Sequence, residues 1–203
     1  MSLTADITEL SIDPRTADLL FREAHTAYAF ADTPVTDEQL AAIYDLVRYA
    51  PTAMNSQPLR ITFVRSSEAK SRLLPLLAEG NRPKAASAPV VALLAADTDF
   101  HLHFERTLPQ LPGAKDRFAD DDARLQAATF NATLQAGYFI IAARAAGLDA
   151  GPMGGFDREG VDAEFFAGTT LTSVLVVNLG YVAEAGRNSR NHRLGHDEAV
   201  RIL

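Results

Sequence analysis

The chain has 203 residues, of which 47% are apolar, and it carries a formal net charge of −7 at pH 7. This length and apolar content predict one domain with a sizeable core, and the negative charge argues against a nucleic-acid-binding face. The absence of cysteine excludes disulfides, thiolate nucleophiles and metal centres that depend on cysteine ligands.

Neither a targeting segment nor a membrane span is indicated by the sequence. Residues 1–6 have no basic start and no apolar run, so a signal peptide is not expected. The best apolar run, Pro89 to Ala96, is far too short to cross a bilayer. We therefore expect a cytoplasmic protein without a membrane or nucleic-acid partner.

The first half of the chain alternates predicted helices with predicted strands. Thr36 and Gln39 have the spacing of a capping box, and the apolar residues after them recur at helical spacing until Pro51 ends the pattern. Pro89 to Ala96 is apolar throughout, which is typical of a strand buried on both faces. The other predicted elements are a helix at residues 16–28, a strand at residues 59–65, and a helix that Ser67 caps and that reaches about Leu77.

The second half contains the longest periodic segment, residues 122–148, which predicts a helix of roughly seven turns. Its many alanines suggest close packing against other helices, and Asp120, Asp121 and Asp122 suit the positive end of its dipole. Residues 98–120, rich in Pro, Asp and His, are expected to form a surface excursion. A helix at 159–166, a strand at 172–179 and a helix at 195–203 follow. Three strands with longer helices between them predict one domain over residues 1–203, with an α+β or three-layer α/β fold.

Several common catalytic motifs are missing from the sequence. No Gly-x-Gly-x-x-Gly follows a predicted strand, and no Gly-Lys-Ser/Thr loop, His-Glu-x-x-His pair or Gly-x-Ser-x-Gly elbow occurs. His101 and His103 would share one face of a strand with Glu105, but a solvated loop is the preferred interpretation. We therefore expect neither a dedicated nucleotide-binding fold nor a metal site, and nothing indicates hydrolysis.

Three segments carry groups that suit a flat polar ligand. Residues 51–58, Pro-Thr-Ala-Met-Asn-Ser-Gln-Pro, offer backbone N–H groups, a hydroxyl and carboxamides between a predicted helix and a predicted strand. Lys84 follows Asn81 at a polar-to-apolar boundary, where a lysine can face a cleft and stabilise an anion. Residues 151–155, Gly-Pro-Met-Gly-Gly, let a planar ring approach the backbone closely. Each segment also has a plain structural alternative, namely a capped connection, a solvated helix lysine and a tight turn.

In their order along the chain, these segments resemble the FMN-dependent nitroreductase family. The similarity runs from about Thr16 to the C-terminus, and the further residues that carry it are Pro34-Val35, Ala88-Pro89-Val90-Val91, the long alanine-rich helix, Leu179-Gly180-Tyr181 and Arg193. Within the family, the chain is most similar to the malonic semialdehyde reductases of pyrimidine catabolism, on Gly80 to Lys84, Gly147 to Arg158 and Asn178 to Tyr181. This similarity implies NADPH-dependent reduction of 3-oxopropanoate to 3-hydroxypropanoate.

The family resemblance implies a nitroreductase-like three-layer sandwich, in which helices flank a mixed central sheet and two chains intertwine as a homodimer with FMN at the interface. NADPH or NADH would be the reductant, and a small molecule would be the oxidant. The implied FMN-contacting residues are Pro51, Thr52, Ala53 and Asn55 from one subunit, Asn81 and Lys84 from the other, Pro152, Met153, Gly154 and Gly155 near the N5 edge of the ring, and Arg193 on the ribityl phosphate.

One departure from the family pattern affects the phosphate site. The family usually has an early Arg-x-Ser-x-Arg/Lys sequence, and the corresponding residues here are Ala24-His25-Thr26-Ala27-Tyr28. Thr26 retains a hydroxyl and His25 is a partial substitute for a cation, whereas both of the usual cations are replaced. FMN is therefore expected to bind more weakly, unless another basic residue such as Arg190 contributes.

The mechanism that the resemblance implies is ping-pong hydride transfer, in which NAD(P)H reduces the flavin and the oxidant then takes its place. Lys84 is the implied catalytic residue, because its charge would compensate the anionic reduced ring. A small anionic aldehyde should also need a cation above the ring, for which residues 98–120 offer Arg106, Lys115 and Arg117. Three alternatives stay open: a broad nitroaromatic or quinone reductase, a non-catalytic flavin-binding module, and a structural homodimer without a ligand.

Overall fold

Four strands and the helices on both of their faces form the part of the chain that the computed structural model describes, residues 10–203. The strands are β1 (Leu59–Val64), β2 (Val90–Asp97), β3 (Asp149–Met153) and β4 (Leu171–Gly180). The helices are α1 (Pro14–Ala17), α2 (Asp37–Val47), α3 (Ser67–Leu73), α4 (Arg82–Ser87), α5 (Phe104–Thr107), α6 (Asp121–Ala145), α7 (Arg158–Phe165) and α8 (His196–Ala199). The expectation about residues 1–6, and the first nine residues of the predicted domain, lie outside the described residues.

The sheet has the strand order β1-β2-β4-β3, and every neighbouring pair is antiparallel. The mixed sheet that the resemblance implied is therefore wrong for residues 10–203, because none of the three pairings there is parallel. β1 and β3 are the edge strands of this sheet, and the outer edge of β1 pairs with no other strand of the described chain.

Two apolar clusters on opposite faces of the sheet make the fold a three-layer sandwich. Along β2, Ala92 and Leu94 pack into the cluster that contains α2 and α6, whereas Val91 and Leu93 pack into the cluster that contains α3, α4 and α7. Successive side chains of a strand point to opposite faces, so both faces of this strand are covered. The predicted strand buried on both faces and the predicted α+β layering are confirmed.

The predicted starts of two helices are confirmed at the level of hydrogen bonds. Thr36 Oγ1 accepts from the Gln39 N–H at 3.2 Å, and Gln39 Oε1 accepts from the Thr36 N–H at 3.1 Å, which completes the capping box of α2. Asp120 caps α6 by accepting from the Ala123 N–H at 2.8 Å. Local side chains that bond the first free N–H groups of a helix fix its start regardless of the tertiary fold.

Strand β3 was missed by the sequence analysis, which interpreted residues 151–155 as a turn or a ligand-binding segment. Gly151 and Pro152 are both unfavourable in strands, but Pro152 is tolerated because β3 is an edge strand. A Cβ atom at Gly151 would lie 2.6 Å from the Ala27 carbonyl oxygen, so close packing requires glycine there. The Ala27 N–H in turn donates to the Ala150 carbonyl at 3.1 Å.

Three predicted helices are longer than the observed ones. The first consists of α1 and a π-helical turn, Asp18–Arg22, that continues it. It ends at Arg22, because the following residues bond along β3 and the end of β4. The helix after β1 is capped by Ser66 instead of Ser67 and ends at Leu73, and a 3-10 turn that contains Pro75 follows it. The last helix covers only His196–Ala199 of the predicted residues 195–203.

The segment at residues 98–120 is more than the surface excursion that was predicted. Phe100 and Phe104 are buried, and both rings make edge or tilted contacts with Phe118 at centroid distances of 4.9 and 5.6 Å. These aromatic contacts anchor the 3-10 turn at Phe100–His103 and helix α5 in the same core as α6. The exposed residues of this segment are therefore held in place by its buried aromatic side chains.

Candidate functional site

A cavity of about 720 Å³ is lined by several basic residues. Arg144, Arg190 and Arg193 line it together with His25 and Thr26, and among residues 10–203 no Asp or Glu belongs to its lining. Tyr28 and Pro152 form another part of the wall. A cavity with three guanidinium groups and no carboxylate suits an anionic ligand, and guanidinium groups match phosphate oxygens especially well.

The three arginines differ in the hydrogen bonds and ion pairs that their guanidinium groups already form within the protein. Arg144 is buried, donates to the His25 carbonyl and lies 3.7 Å from the Asp149 carboxylate. Arg190 donates to the carbonyl oxygens of Arg22 and Ala24. Arg193 is exposed and, within the described residues, donates only to the adjacent Asn191 and His192 carbonyls, at 3.0 and 3.3 Å. Of the three, Arg193 has the guanidinium group that is most available to a ligand.

The guanidinium group of Arg144 is largely shielded from water. Burial lowers the pKa of its guanidinium group below the usual value, Asp149 opposes this shift, and the neighbouring Arg190 adds to it. An arginine side chain nevertheless stays protonated in proteins. An anion in the cavity would therefore be stabilised by a cation that water reaches only poorly.

Beside this cavity, Lys84 takes part in a short chain of polar contacts. Its ammonium group donates to Asn81 Oδ1 at 3.1 Å and lies 4.8 Å from the centre of the Tyr28 ring. The Asn81 amide donates onward to the Gly155 carbonyl at 3.0 Å. A Cβ atom at Gly155 would lie 3.0 Å from this amide nitrogen, so the contact favours glycine. Because Tyr28 also lines the cavity, the lysine lies at the border of the cationic site.

The predicted residues of the 152–155 segment face different surroundings. The Met153 side chain is buried, and its sulfur accepts a contact from the Asn178 amide at 3.5 Å, so only its backbone can face a ligand. Gly154 is exposed, and a Cβ atom there would meet nothing within 4 Å. The structure thus brings seven predicted site residues to one region: His25, Thr26, Asn81, Lys84, Pro152, Gly155 and Arg193.

The loop at residues 51–58 has an unusual backbone. Met54, Asn55 and Gln57 have φ values of 57°, 50° and 44°, the left-handed region that residues other than glycine rarely adopt. The loop is held from within, since the Thr52 hydroxyl accepts from the Gln57 N–H and the Gln57 amide donates to Asn55 Oδ1. Such clusters of strained backbone are typical of functional sites.

Two buried amide side chains on α6 fix the same loop. Asn131 Oδ1 accepts from the Ala53 N–H at 2.7 Å, and Gln135 Oε1 accepts from the Leu59 N–H at 3.0 Å. Sequence analysis missed both residues, as it missed Arg144. The signal was a polar side chain within an alanine-rich helix, since such residues are rarely buried without a specific partner.

Within one chain, this loop and the cationic cavity are far apart. Asn131 contacts the loop and Arg144 lines the cavity, and the separation of thirteen positions between them on α6 corresponds to about 20 Å of helix. Pro51, Thr52, Ala53 and Asn55 are therefore not brought together with Lys84 and Arg193 in a single copy of the chain.

The described part of the chain has neither a cluster of metal-ligating side chains nor a membrane-spanning helix. Among residues 10–203, no three His, Asp or Glu side chains are placed so that they could hold a metal ion. The His101 ring packs beside the Phe100 and Phe118 rings, at centroid distances of 5.9 and 6.5 Å. No helix in the same residues combines the length and apolarity that crossing a membrane requires.

Comparisons of the sequence with a family model and with known proteins point to the same family. The family model described as the Nitroreductase family matches residues 21–181. A Streptomyces coelicolor protein whose name provisionally assigns it as an NADH dehydrogenase/NAD(P)H nitroreductase is 55% identical over 182 residues, which cover 89% of this chain and 90% of that protein. A Leptothrix cholodnii protein with the same provisional name is 50% identical over 194 residues, covering 95% and 98% of the two chains.

Solved structures agree with the fold. A provisionally assigned nitroreductase from Bacillus subtilis superposes with a TM-score of 0.78 at 26% identity, over 91% of this chain and 97% of the other. A provisionally assigned nitroreductase from Exiguobacterium sibiricum, solved in complex with FMN, superposes with a TM-score of 0.77 at 19% identity, over 96% and 99%. At that lower identity, the likeness concerns the fold alone.

Proposed function

The chain belongs to the nitroreductase family, and we propose that it is an NAD(P)H-dependent flavin oxidoreductase that binds FMN in the cationic cavity. The observation that carries this proposal is the cavity with three arginines and no carboxylate, bordered by Lys84 and Asn81. FMN combines a dianionic phosphate with a ring edge of alternating hydrogen-bonding groups. Its phosphate therefore suits the arginines of the cavity, and its ring edge suits Lys84 and Asn81. The names of the close relatives support a nicotinamide reductant.

The residues present fit FMN in their chemistry. Arg193 and the adjacent Arg190 and Arg144 would hold the phosphate, with His25 and the Thr26 hydroxyl beside them. Arg144 and Arg190 would take the place of the two missing cations of the early family motif. Asn81 and Lys84 would bind the polar edge of the ring, and the backbone at residues 152–155 would lie against it.

Bound FMN would supply the two-electron hydride chemistry, and the side chains would bind and orient it. Lys84 is held beside neutral groups, Asn81 and the Tyr28 ring, so its positive charge is available to compensate the charge that a flavin gains on reduction. Asn81 fixes the Gly155 carbonyl and so orients the backbone of that segment. No side chain has to act as a general base in this scheme.

We further propose that two chains complete each site. The strained loop at residues 51–58 is rigidly held yet about 20 Å along α6 from the cationic cavity. A second copy of the chain could bring its own Pro51, Thr52, Ala53 and Asn55 against a ligand that is bound at Lys84 and Arg193. This arrangement would explain why one chain keeps two halves of a site apart.

For the oxidant, we propose malonic semialdehyde, on the basis of the motifs around Asn81, Gly151–Gly155 and Asn178. The overall reaction would transfer a hydride from NAD(P)H to the aldehyde carbon and consume one solvent proton at its oxygen, giving 3-hydroxypropanoate and NAD(P)⁺; FMN would supply the hydride chemistry. The second candidate is a broad nitroaromatic or quinone reductase, which the names of the close relatives favour.

The absorbance spectrum of the purified protein is the first test of this proposal. We expect flavin bands and, in stopped-flow experiments, their bleaching by NADPH or NADH. The rate of reoxidation by malonic semialdehyde, compared with the rates for a nitroaromatic compound and a quinone, then separates the two candidate functions. Flavin that binds but is not reduced would indicate a non-catalytic module, and a protein that binds no added FMN would contradict the proposal.

Replacement of Arg193 by alanine is expected to weaken FMN binding by about thirtyfold. The reason is the loss of one charge-assisted phosphate contact, on the order of 2 kcal/mol, while Arg144 and Arg190 remain tied to backbone carbonyls. Fluorescence titration of the apoprotein with FMN measures the effect. Arg72→Ala, which removes an equal charge outside the cavity lining, is the control. An unchanged dissociation constant for Arg193→Ala would show that this arginine does not bind the phosphate.

A further inference from the structure

A second cavity, of about 460 Å³, adjoins the strained loop, and Gln135 of α6 is among the residues that line it. Ser56 and Gln57 of the loop form part of its wall, and β1 and α2 form other parts. Its basic lining residues are Arg48, Arg60, His103 and Arg106, and no Asp or Glu of the described chain belongs to its lining. Like the first cavity, it therefore suits an anionic ligand, but it shares no residue with that cavity.

The loop wall of this second cavity contains an unsatisfied polar group. Ser56 is 3% exposed, and its hydroxyl oxygen has no hydrogen-bond partner among residues 10–203. The residues on both sides of it, Asn55 and Gln57, have positive φ values. A buried polar group without a partner costs free energy, so a strained loop that carries one indicates a ligand-binding wall.

The basic residues of this cavity differ in their existing partners. Arg60 is neutralised by Asp97, with Nη2 2.6 Å from the carboxylate, and Arg48 lies 3.7 Å from Asp45. Arg106 has no carboxylate within ion-pair distance in the part of the chain that the structure describes, and its side chain is exposed. Of the three candidates at residues 98–120, Lys115 pairs with Glu105, and neither Lys115 nor Arg117 lines this cavity.

Arg106 is also firmly placed relative to the loop. It lies on α5, which the buried Phe104 anchors in the core. The next residue, Thr107, accepts a hydrogen bond from the Asn55 amide at 2.8 Å through its carbonyl oxygen. Helix α5, which carries Arg106, is thus hydrogen-bonded to the loop that is proposed to face the flavin.

From these contacts, we propose that Arg106 determines specificity by binding the anionic group, a carboxylate, of the oxidising substrate. The inference rests on the proposed function, since it places the oxidant beside the 51–58 loop. The carboxylate would lie in the second cavity between the Arg106 guanidinium and the Ser56 hydroxyl. The reducible carbon or nitrogen of the same molecule would extend past Asn55 toward the flavin.

Calorimetric titration with benzoate and its neutral isostere benzamide tests the anion site without any turnover. The FMN-loaded protein should bind benzoate more tightly than benzamide. Arg106→Gln should weaken benzoate binding by about tenfold and leave benzamide binding unchanged, and Arg106→Lys should retain part of the preference. Arg117→Gln, an exposed arginine of the same segment, is the matched control and should behave like the parent protein.

Steady-state reduction of para-nitrobenzoate and para-nitrobenzamide supplies the second measurement. Arg106→Gln should raise KM for the carboxylate by about tenfold with little change in kcat, and should leave the amide unaffected. Equal effects on both oxidants, or an altered NADPH-to-NADH preference in place of the oxidant preference, would overturn the assignment. A protein that prefers benzoate through Arg106 but oxidises no NADPH with any oxidant would instead refute the proposed reaction while keeping the anion site.

Discussion

Replacing Lys84 with methionine is expected to slow reduction of the bound flavin by NADPH far more than it weakens FMN binding. Among the described residues, the ammonium group contacts two neutral partners, Asn81 Oδ1 at 3.1 Å and the Tyr28 ring at 4.8 Å. Its attraction therefore grows when the ring gains negative charge, and an interaction that strengthens during the reaction accelerates it. A half-buried charge contact of this kind contributes roughly 1–3 kcal/mol, which corresponds to a rate loss of about five- to 150-fold.

Stopped-flow measurement of flavin bleaching, with FMN affinity determined in parallel, separates the two effects. Lys84→Arg retains the charge and should recover part of the rate. Lys115→Met removes a lysine that pairs with Glu105 on the surface and should leave the rate unchanged. If Lys84→Met and the parent protein are reduced at the same rate, the lysine has no role in hydride transfer and serves only to orient Asn81.

The elements that the sequence predicted well are those whose signals are local. The capping box of α2, the acidic start of α6 and the apolar run of β2 each depend on a few neighbouring residues, and each is confirmed. Strand β3 was missed because its Gly-Pro sequence opposes a strand locally. Its pairing with β4 and with Ala27 is a long-range contact that overrides local propensity.

The candidate site shows the same division between local and distant information. The sequence already indicated that Lys84 and Asn81 lie close together, because a spacing of three residues places them on one helical turn. Arg144 could not be assigned to the phosphate cavity, since its neighbours there come from the N-terminal segment and from residues 188–193. The antiparallel order of the sheet was likewise not accessible, because it depends on how three separate connections cross the fold.

The surface of α6 indicates where a second copy of the chain would bind. Phe130, Leu134 and Tyr138 are 63%, 44% and 45% exposed, and their spacing of four residues aligns them on one face of the helix. The opposite face packs on the sheet through small residues such as Ala128 and Ala132. A contiguous apolar row of this kind on a described surface is typical of a protein interface.

We therefore expect an obligate homodimer of about 44 kDa, twice the chain mass of 21.9 kDa, in which each FMN site uses both chains. A monomer would expose the apolar row of α6 and would leave the 51–58 loop away from the cationic cavity. Dilution should consequently release FMN and unfold the protein together, because assembly and stability are linked, and Leu134→Asp should have the same effect. Leu102→Asp, at an exposed leucine outside α6, is the control. Light scattering that finds a folded, yellow species near the single-chain mass would overturn both the assembly and the shared site.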